Sequence, residues 1–179
     1  MKKTQKIIVS VLFLIFLSLI GFYYYSIKKS KYKTVYYVYF LSSNQELKLI
    51  PVERTAKPFS DIEEKVKSSI KDLLNGPNQE EKEKNIITMI PEGVKLINCY
   101  IRNDTVFLDF SKDIEKGGGT EEMKARLAQI VFTATQFPEI NKVRFMIEGK
   151  FIKYFGGEGL TDVEKPLERK DFIKVKRGE

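Results

Sequence analysis

Few residue patterns in this chain could carry chemistry. Gly117-Gly118-Gly119-Thr120 leads into an amphipathic run, and a glycine turn at a helix start can bind phosphate through outward-pointing amides. The run matches neither G-x-x-x-x-G-K-[ST] nor G-x-G-x-x-G, and no lysine follows it at the helix start, so it reads as a flexible loop. Gly156-Gly157-Glu158-Gly159 has a similar composition but no helical pattern after it. The carboxylate pairs Glu63/Glu64 and Glu121/Glu122 fall in expected first turns of helices, where the helix dipole accounts for them. Asp109 sits opposite Leu108 in an otherwise apolar strand pattern. It is either a functional acid or an outward residue of an antiparallel strand, and the outward reading is favoured. Cys99 lies in the apolar phase of a strand with nothing basic placed to activate it, and reads as a buried, inert thiol. With no histidine and one cysteine, the chain has no His general base, no intramolecular disulfide and no Cys-based zinc site. No acid, base and nucleophile converge, so the expectation is no enzyme, no cofactor and no metal. Asn103-Asp104-Thr105 matches a glycosylation sequon in a turn, which matters only in a eukaryotic secretory setting.

The net charge of +7 suggests nucleic acid until it is located. Seven lysines (2, 3, 6, 28, 29, 31 and 33) precede residue 34 with no acid among them, leaving 24 basic residues against 24 acidic ones in the body. A neutral body lacks the positive field that a nucleic-acid-binding domain carries, and nucleic acid is set aside. The lysines flank an uncharged run from Ile7 to Ile27, 21 residues long. About 20 helical residues cross a hydrocarbon core, and Tyr23, Tyr24 and Tyr25 suit its interface. Bulky residues after the apolar core disfavour a cleaved signal peptide, and no cysteine follows it for lipid attachment. The expected organisation is a short cytoplasmic tail (1–6), a transmembrane anchor (7–27), a linker (28–33), a body (34–160) and a C-terminal extension (161–179). The lysine count does not set the orientation; the body is expected on the extracytoplasmic side of the cell membrane, as a single-pass protein.

The body supplies its elements in a readable order. Thr34–Leu41 reads as a strand apolar on both faces, and residues 42–45 as a turn. Leu47–Val52 is the return strand, kept to a sheet edge by Pro51. Ser60 with Glu63 forms a capping box, and Ile62, Val66, Ile70, Leu73 and Leu74 make one helix face that stops at Asn75-Gly76-Pro77. Asn78–Asn85 reads as a charged surface loop. After Ile86–Ile90 and the Pro91-Glu92-Gly93 turn comes a hairpin, with Ile97, Cys99 and Ile101 inward on one strand and Val106, Leu108 and Phe110 on the other. A second helix is expected over about Glu121 to Phe137, then a strand over Lys142–Glu148 and a short one near Phe151–Phe155. Beyond Gly156 the pattern fades into loop. The fold class is α+β: a small mixed sheet with two helices packed on one face, in ββαββαβ order, preceded by a single transmembrane helix.

Five stretches carry a resemblance. Leu73-Leu74-Asn75-Gly76-Pro77 resembles an L-L-x-G-P signature, and Ile90-Pro91-Glu92-Gly93-Val94 an I-P-x-G-T element. Residues 105–111 (TVFLDFS) resemble a V-x-V-D-F-S strand. Residues 129–138 resemble a Q-I-V-Y-T-L-x-x-F-P helix end, and residues 143–150 resemble V-x-F-x-I-E-G-K. In this order, over most of 34–160, they are similar to the GerMN domain family of bacterial spore-formation and germination proteins. The resemblance implies a membrane-tethered, extracytoplasmic, non-enzymatic module with a ring-building-motif type of fold, able to pack side by side, and the expected orientation, tail inside and body outside, rests partly on it. It implies structural or docking roles for Gly76, Pro77, Pro91, Gly93, Asp109, Gln129, Thr133 and Gly149. Partners would be envelope or sporulation-complex proteins, engaged through a sheet edge, with ring-like or homo-oligomeric packing. The alternative is a ligand- or cell-wall-binding sensor domain using the 117–119 loop and exposed aromatics such as Phe107 or Tyr154.

Overall fold

The structure, a computed structural model, describes residues 3–30, 33–43, 48–156 and 161–172; within the first helix the side chains described are those of residues 5, 8 and 11–25. The expected turn at 44–45, Leu47, the glycines at 157 and 159, and the basic stretch beyond 172 lie outside the described residues. The chain divides into two compact units, residues 1–34 with 55–58 and residues 35–54 with 59–179.

The first unit is built on α1 (Lys3–Ser30), 28 residues, about 42 Å at 1.5 Å per residue. Apart from half-exposed Ile20, side chains 11–25 are exposed all round, Phe13, Phe16 and Phe22 among them. No charged residue lies among side chains 11–25. Among the described residues no helix is long and apolar enough to cross a membrane. The expected anchor at 7–27 takes in residues 7, 9, 10, 26 and 27, whose side chains lie outside those described.

The body is α+β, with several small sheets where a single one was expected. β1 (Thr34–Ser42), β2 (Lys48–Ala56) and β3 (Ile86–Ile87) form a sheet in the order β2-β1-β3. β4 (Leu96–Arg102), β5 (Thr105–Phe110), β6 (Lys142–Ile147) and β7 (Lys150–Phe151) form a second sheet in that order, and β8 (Tyr154–Phe155) pairs with β9 (Thr161–Asp162). β5 and β6 are parallel, which requires a long crossover; α4 (Thr120–Ala134) supplies it. The two long body helices, α2 (Ile62–Leu74) and α4, pack on each other, α2 also on β4 and α4 on β6. Val66, Ile70, Leu73, Leu127, Ile130 and Val131 are fully buried, as are Val106, Leu108 and Phe110 on β5. Each such side chain contributes roughly 1.5–3 kcal/mol.

Several local expectations shift. β1 is buried along one face, at Tyr36, Val38 and Phe40, and on the other only towards its end: Val35 and Tyr37 are exposed, Tyr39 is half-buried and Leu41 is buried. α2 caps one residue later than expected, because Asp61 accepts from Glu64 N at 2.8 Å and adds a negative charge at the positive helix end. Glu64 reaches back to Ser60 N at 2.7 Å. The expected loop at 78–85 contains a short helix, α3 (Gln79–Glu83), started by an Asn78/Glu81 capping box. On β4 the register shifts between Leu96 and Asn98, a bulge that puts Cys99 inward and leaves Ile97 53% exposed. α4 ends at Ala134, three residues before Phe137.

Candidate interaction surface

Gln129, Thr133 and Gln136 lie at i, i+4 and i+7 along α4 and its C-terminal turn, a single stripe. Gln129 and Thr133 are fully buried, and the stripe faces β1. Thr133 Oγ1 accepts from Tyr39 N at 3.0 Å, and Gln129 Nε2 donates to Tyr39 O at 3.2 Å. Gln136 Oε1 accepts from Tyr37 N and its Nε2 donates to Tyr37 O, both at 2.6 Å. Residues two apart in a strand present their backbone groups to the same edge. Three side chains therefore take the place of a neighbouring strand along that edge of β1. Gln129 Oε1 also accepts from Met89 N at 2.8 Å, tying down the segment after β3.

Asp109 lies on the outer face opposite Leu108, as expected, yet it is only 4% exposed because that face is covered there. Both its carboxylate oxygens accept from Gly149 N at 3.0 Å. The reason is the two-residue turn between β6 and β7, where Glu148 (φ 49°) and Gly149 (φ 78°) both adopt left-handed conformations and turn that amide inward. Asp109 and Gly149 thus form one unit, and Gln129 and Thr133 another. Gly76 and buried Pro77 follow the end of α2, with Gly76 N donating to Leu73 O at 3.1 Å. Half-buried Pro91 and exposed Gly93 sit in the turn before β4. The structure does not gather these eight residues into one site.

The other polar clusters are satisfied internally. Arg126 is 3% exposed and donates to Met89 O, Ile114 O, Lys116 O and Gly117 O. Burial lowers its pKa, with the Glu122 charge opposing. Glu122 Oε2 accepts from Gly119 N at 3.0 Å, so the chain's own carboxylate occupies the start of α4, where an anion would bind. Sequence reasoning missed Arg126, and it missed the bidentate pair of Arg54 with Glu81, at 2.6 and 2.8 Å. The Asn-x-x-Glu spacing was the available signal for Glu81. Tyr36 donates to Asp72 Oδ2 at 2.5 Å, and burial raises the tyrosine pKa. A cavity of about 260 Å³ lies beside Arg169, which donates to Thr135 Oγ1 and Phe132 O. Burial pushes the Cys99 thiol up to about 12, so it is protonated at neutral pH. Among the described residues, no three carboxylates or thiols gather as a metal would require.

One sheet face is only partly covered: Tyr100, Phe107 and Arg144 are half-buried and Met146 is buried, while Arg102 and Phe151 are exposed. The strand registers put Tyr100, Phe107, Arg144, Met146 and Phe151 on the outer face of the four-stranded sheet. The Tyr100 and Phe107 rings stack at 4.8 Å between centroids, and Phe151 meets Phe107 edge-on at 6.1 Å. Arg102 lies 5.5 Å from the Tyr100 ring centre and Arg144 5.1 Å from that of Phe151. The result is a ladder of three rings with a guanidinium at either end, a favourable cation–π arrangement. Phe151 is 56% exposed.

A family model described as Germane, sporulation and spore germination, matches residues 36–153. The chain belongs to the Germane family. Among solved structures it is similar to the tandem GerMN domains of the sporulation protein GerM from Bacillus subtilis, at 26% identity and a TM-score of 0.60. That match covers 76% of this chain and 46% of the tandem chain, so this chain spans less than half of that structure. The first GerMN domain of the same protein matches at 22% identity and a TM-score of 0.57, covering 77% of this chain and 99% of that one. A candidate lipoprotein from Clostridium perfringens matches at 24% identity and a TM-score of 0.56, covering 78% of this chain and 89% of that one. These last two show the likeness of fold. Among curated proteins no match is found.

The Germane match ends at residue 153, yet the packed body continues. Phe155 and Val163 are fully buried. Leu167 pairs with Val143 through two backbone hydrogen bonds of 2.9 and 2.8 Å, extending the cover that β7 gives to β6. Arg169 stacks over Phe132 and Tyr39, at 4.9 and 5.4 Å, beside the C-terminal end of α4, where a cation is favoured. The expected loop after Gly156 therefore includes a structural strap over 161–172 in this Germane chain.

Proposed function

We propose that this protein is a membrane-anchored, extracytoplasmic Germane module that acts without catalysis, docking partner proteins of a sporulation, germination or cell-envelope complex. Residues 7–27 are the anchor: an uncharged run on a helix whose described side chains are exposed and largely apolar. Docking is read on the outer face of the four-stranded sheet, and the observation that carries this is the ladder of half-buried Tyr100 and Phe107 with exposed Phe151. Strand edges suit the role less well. The β1 edge is closed by α4, and that of β6 by β7 and Leu167. β2 carries Pro51, which lacks a donor, and on bulged β4 the Asn98 side chain accepts from Cys99 N at 2.9 Å.

The test is photo-crosslinking in intact cells from residue 107 or 151 of the full chain, with residue 67 on α2 as control. The expected result is capture of the same envelope protein from both face positions and not from the control. Equal capture from all three positions, or none, refutes the face. Alkaline carbonate should leave the chain in the membrane fraction, and its release would refute the anchor.

A further inference from the structure

We infer that the sheet face takes a protein segment with an apolar centre flanked by carboxylates. The inference rests on the docking reading above and adds the chemistry of the partner. Arg102 and Arg144 close the two ends of the ring ladder, and among the described residues neither has a carboxylate within ion-pair distance. Arg102 is exposed. Arg144 Nη1 donates to Ile152 O and Val163 O, and its remaining nitrogens have no hydrogen-bond partner among the described residues. Of the acids in this region, Asp104 pairs with Lys142 at 3.5 Å and Asp109 lies buried against Gly149 N, while Asp162 and Glu164 lie near Arg144 beyond ion-pair distance, Glu164 pairing with Lys153 at 3.2 Å. A ring surface with exposed Arg102 at one end and, at the other, half-buried Arg144, which has carboxylates nearby but none within ion-pair distance, matches an occupant that buries apolar side chains on the rings and brings an anion to each end, the Arg102 end above all.

The experiment pans a displayed library of random 12-residue peptides against the full chain in nanodiscs of zwitterionic lipid. A parallel selection uses Arg102→Glu. The expected outcome is enrichment of Asp or Glu beside Phe, Leu or Ile, with binding lost at least tenfold in Phe151→Ala and Arg102→Glu. The Arg102→Glu selection should shift towards Lys and Arg. Near-UV circular dichroism first establishes that both variants are folded. Face-binding peptides without acid enrichment, or an unchanged preference in Arg102→Glu, overturn the inference while leaving the docking reading intact. Binders insensitive to Phe151→Ala, or no binders, overturn both. Hydrogen-exchange protection of residues 98–109 in anionic but not zwitterionic nanodiscs, without peptide, assigns the face to lipid and also overturns it.

Discussion

Replacing Gln129 by leucine separates a sealing role from a docking role for this residue. The side chain is fully buried, and leucine has nearly its volume, so packing changes little. The polar partners change a great deal. Met89 N loses its acceptor at 2.8 Å, and Tyr39 O loses its donor at 3.2 Å. A buried group left without a partner costs about 1–3 kcal/mol. Two such groups, less the gain from an apolar side chain, give a loss of roughly 2–4 kcal/mol, against about 5–15 kcal/mol for a whole domain. The melting temperature should fall by about 5–15 °C at about 2–4 °C per kcal/mol. Urea unfolding of the full chain in mild detergent measures this through the near-UV signal of the tyrosines, since the chain has no tryptophan. Hydrogen exchange at the Met89 amide should accelerate beyond the global change. A loss below about 0.5 kcal/mol with unchanged exchange, as at an exposed contact residue, would refute the seal.

Glu81 is held below the ordinary carboxylate pKa, chiefly by its hydrogen bonds from Arg54. Its contribution is therefore present above the unfolded value, near 4.3, and lost as pH falls through the lower folded value. Glu81→Gln should be less stable than the parent at neutral pH, with the gap closing below about pH 4 in unfolding titrations; a constant gap would contradict the pairing. Asp109→Ala should cost about 1.5–3 kcal/mol by orphaning Gly149 N, whereas Asp109→Asn, which keeps an acceptor, should cost less; equal costs would argue against that contact. A maleimide at pH 8 should leave Cys99 unmodified until denaturant is added, and rapid native labelling would contradict its burial.

Much of the architecture was legible because it rests on local periodicity. The α2 face through Val66, Ile70 and Leu73 and the inward triple Val106, Leu108 and Phe110 follow from spacings of about 3.6 and 2. Features set by chemistry between distant elements were less visible. Nothing local marks Glu81 as buried, because its partner Arg54 lies 27 positions earlier. Asp109 was misread because alternation assigns a residue to a face, while exposure depends on what covers that face; here the β6–β7 turn does. The bulge that turns Ile97 outward breaks the alternation that placed it inward. Three sheets stand where the pattern suggests one, because a sequence pattern does not say which strands pair. The ring ladder was illegible for the same reason: Tyr100, Phe107 and Phe151 become neighbours only through registers spanning β4, β5, β6 and β7.

Gln129 and Thr133 bear on how such a module can dock. Residues matching the family's motif do not by that fact face a partner, since these two are fully buried and bonded to the first strand of their own domain. A partner strand seeking that edge would have to displace three side chains and replace every hydrogen bond they make. Under the proposed docking role, a partner on the ring face would displace no hydrogen-bonded strand and would cover exposed Phe151 beside half-buried Tyr100 and Phe107. That route would need no local unfolding, and the proposed tether would raise the local concentration enough for a modest interface to act. Asp109, Gln129, Thr133 and Gly149 make their contacts within the domain, and in the proposed docking role the residues that would choose the partner lie on the strand faces between the motifs, at Tyr100, Arg102, Phe107, Arg144 and Phe151.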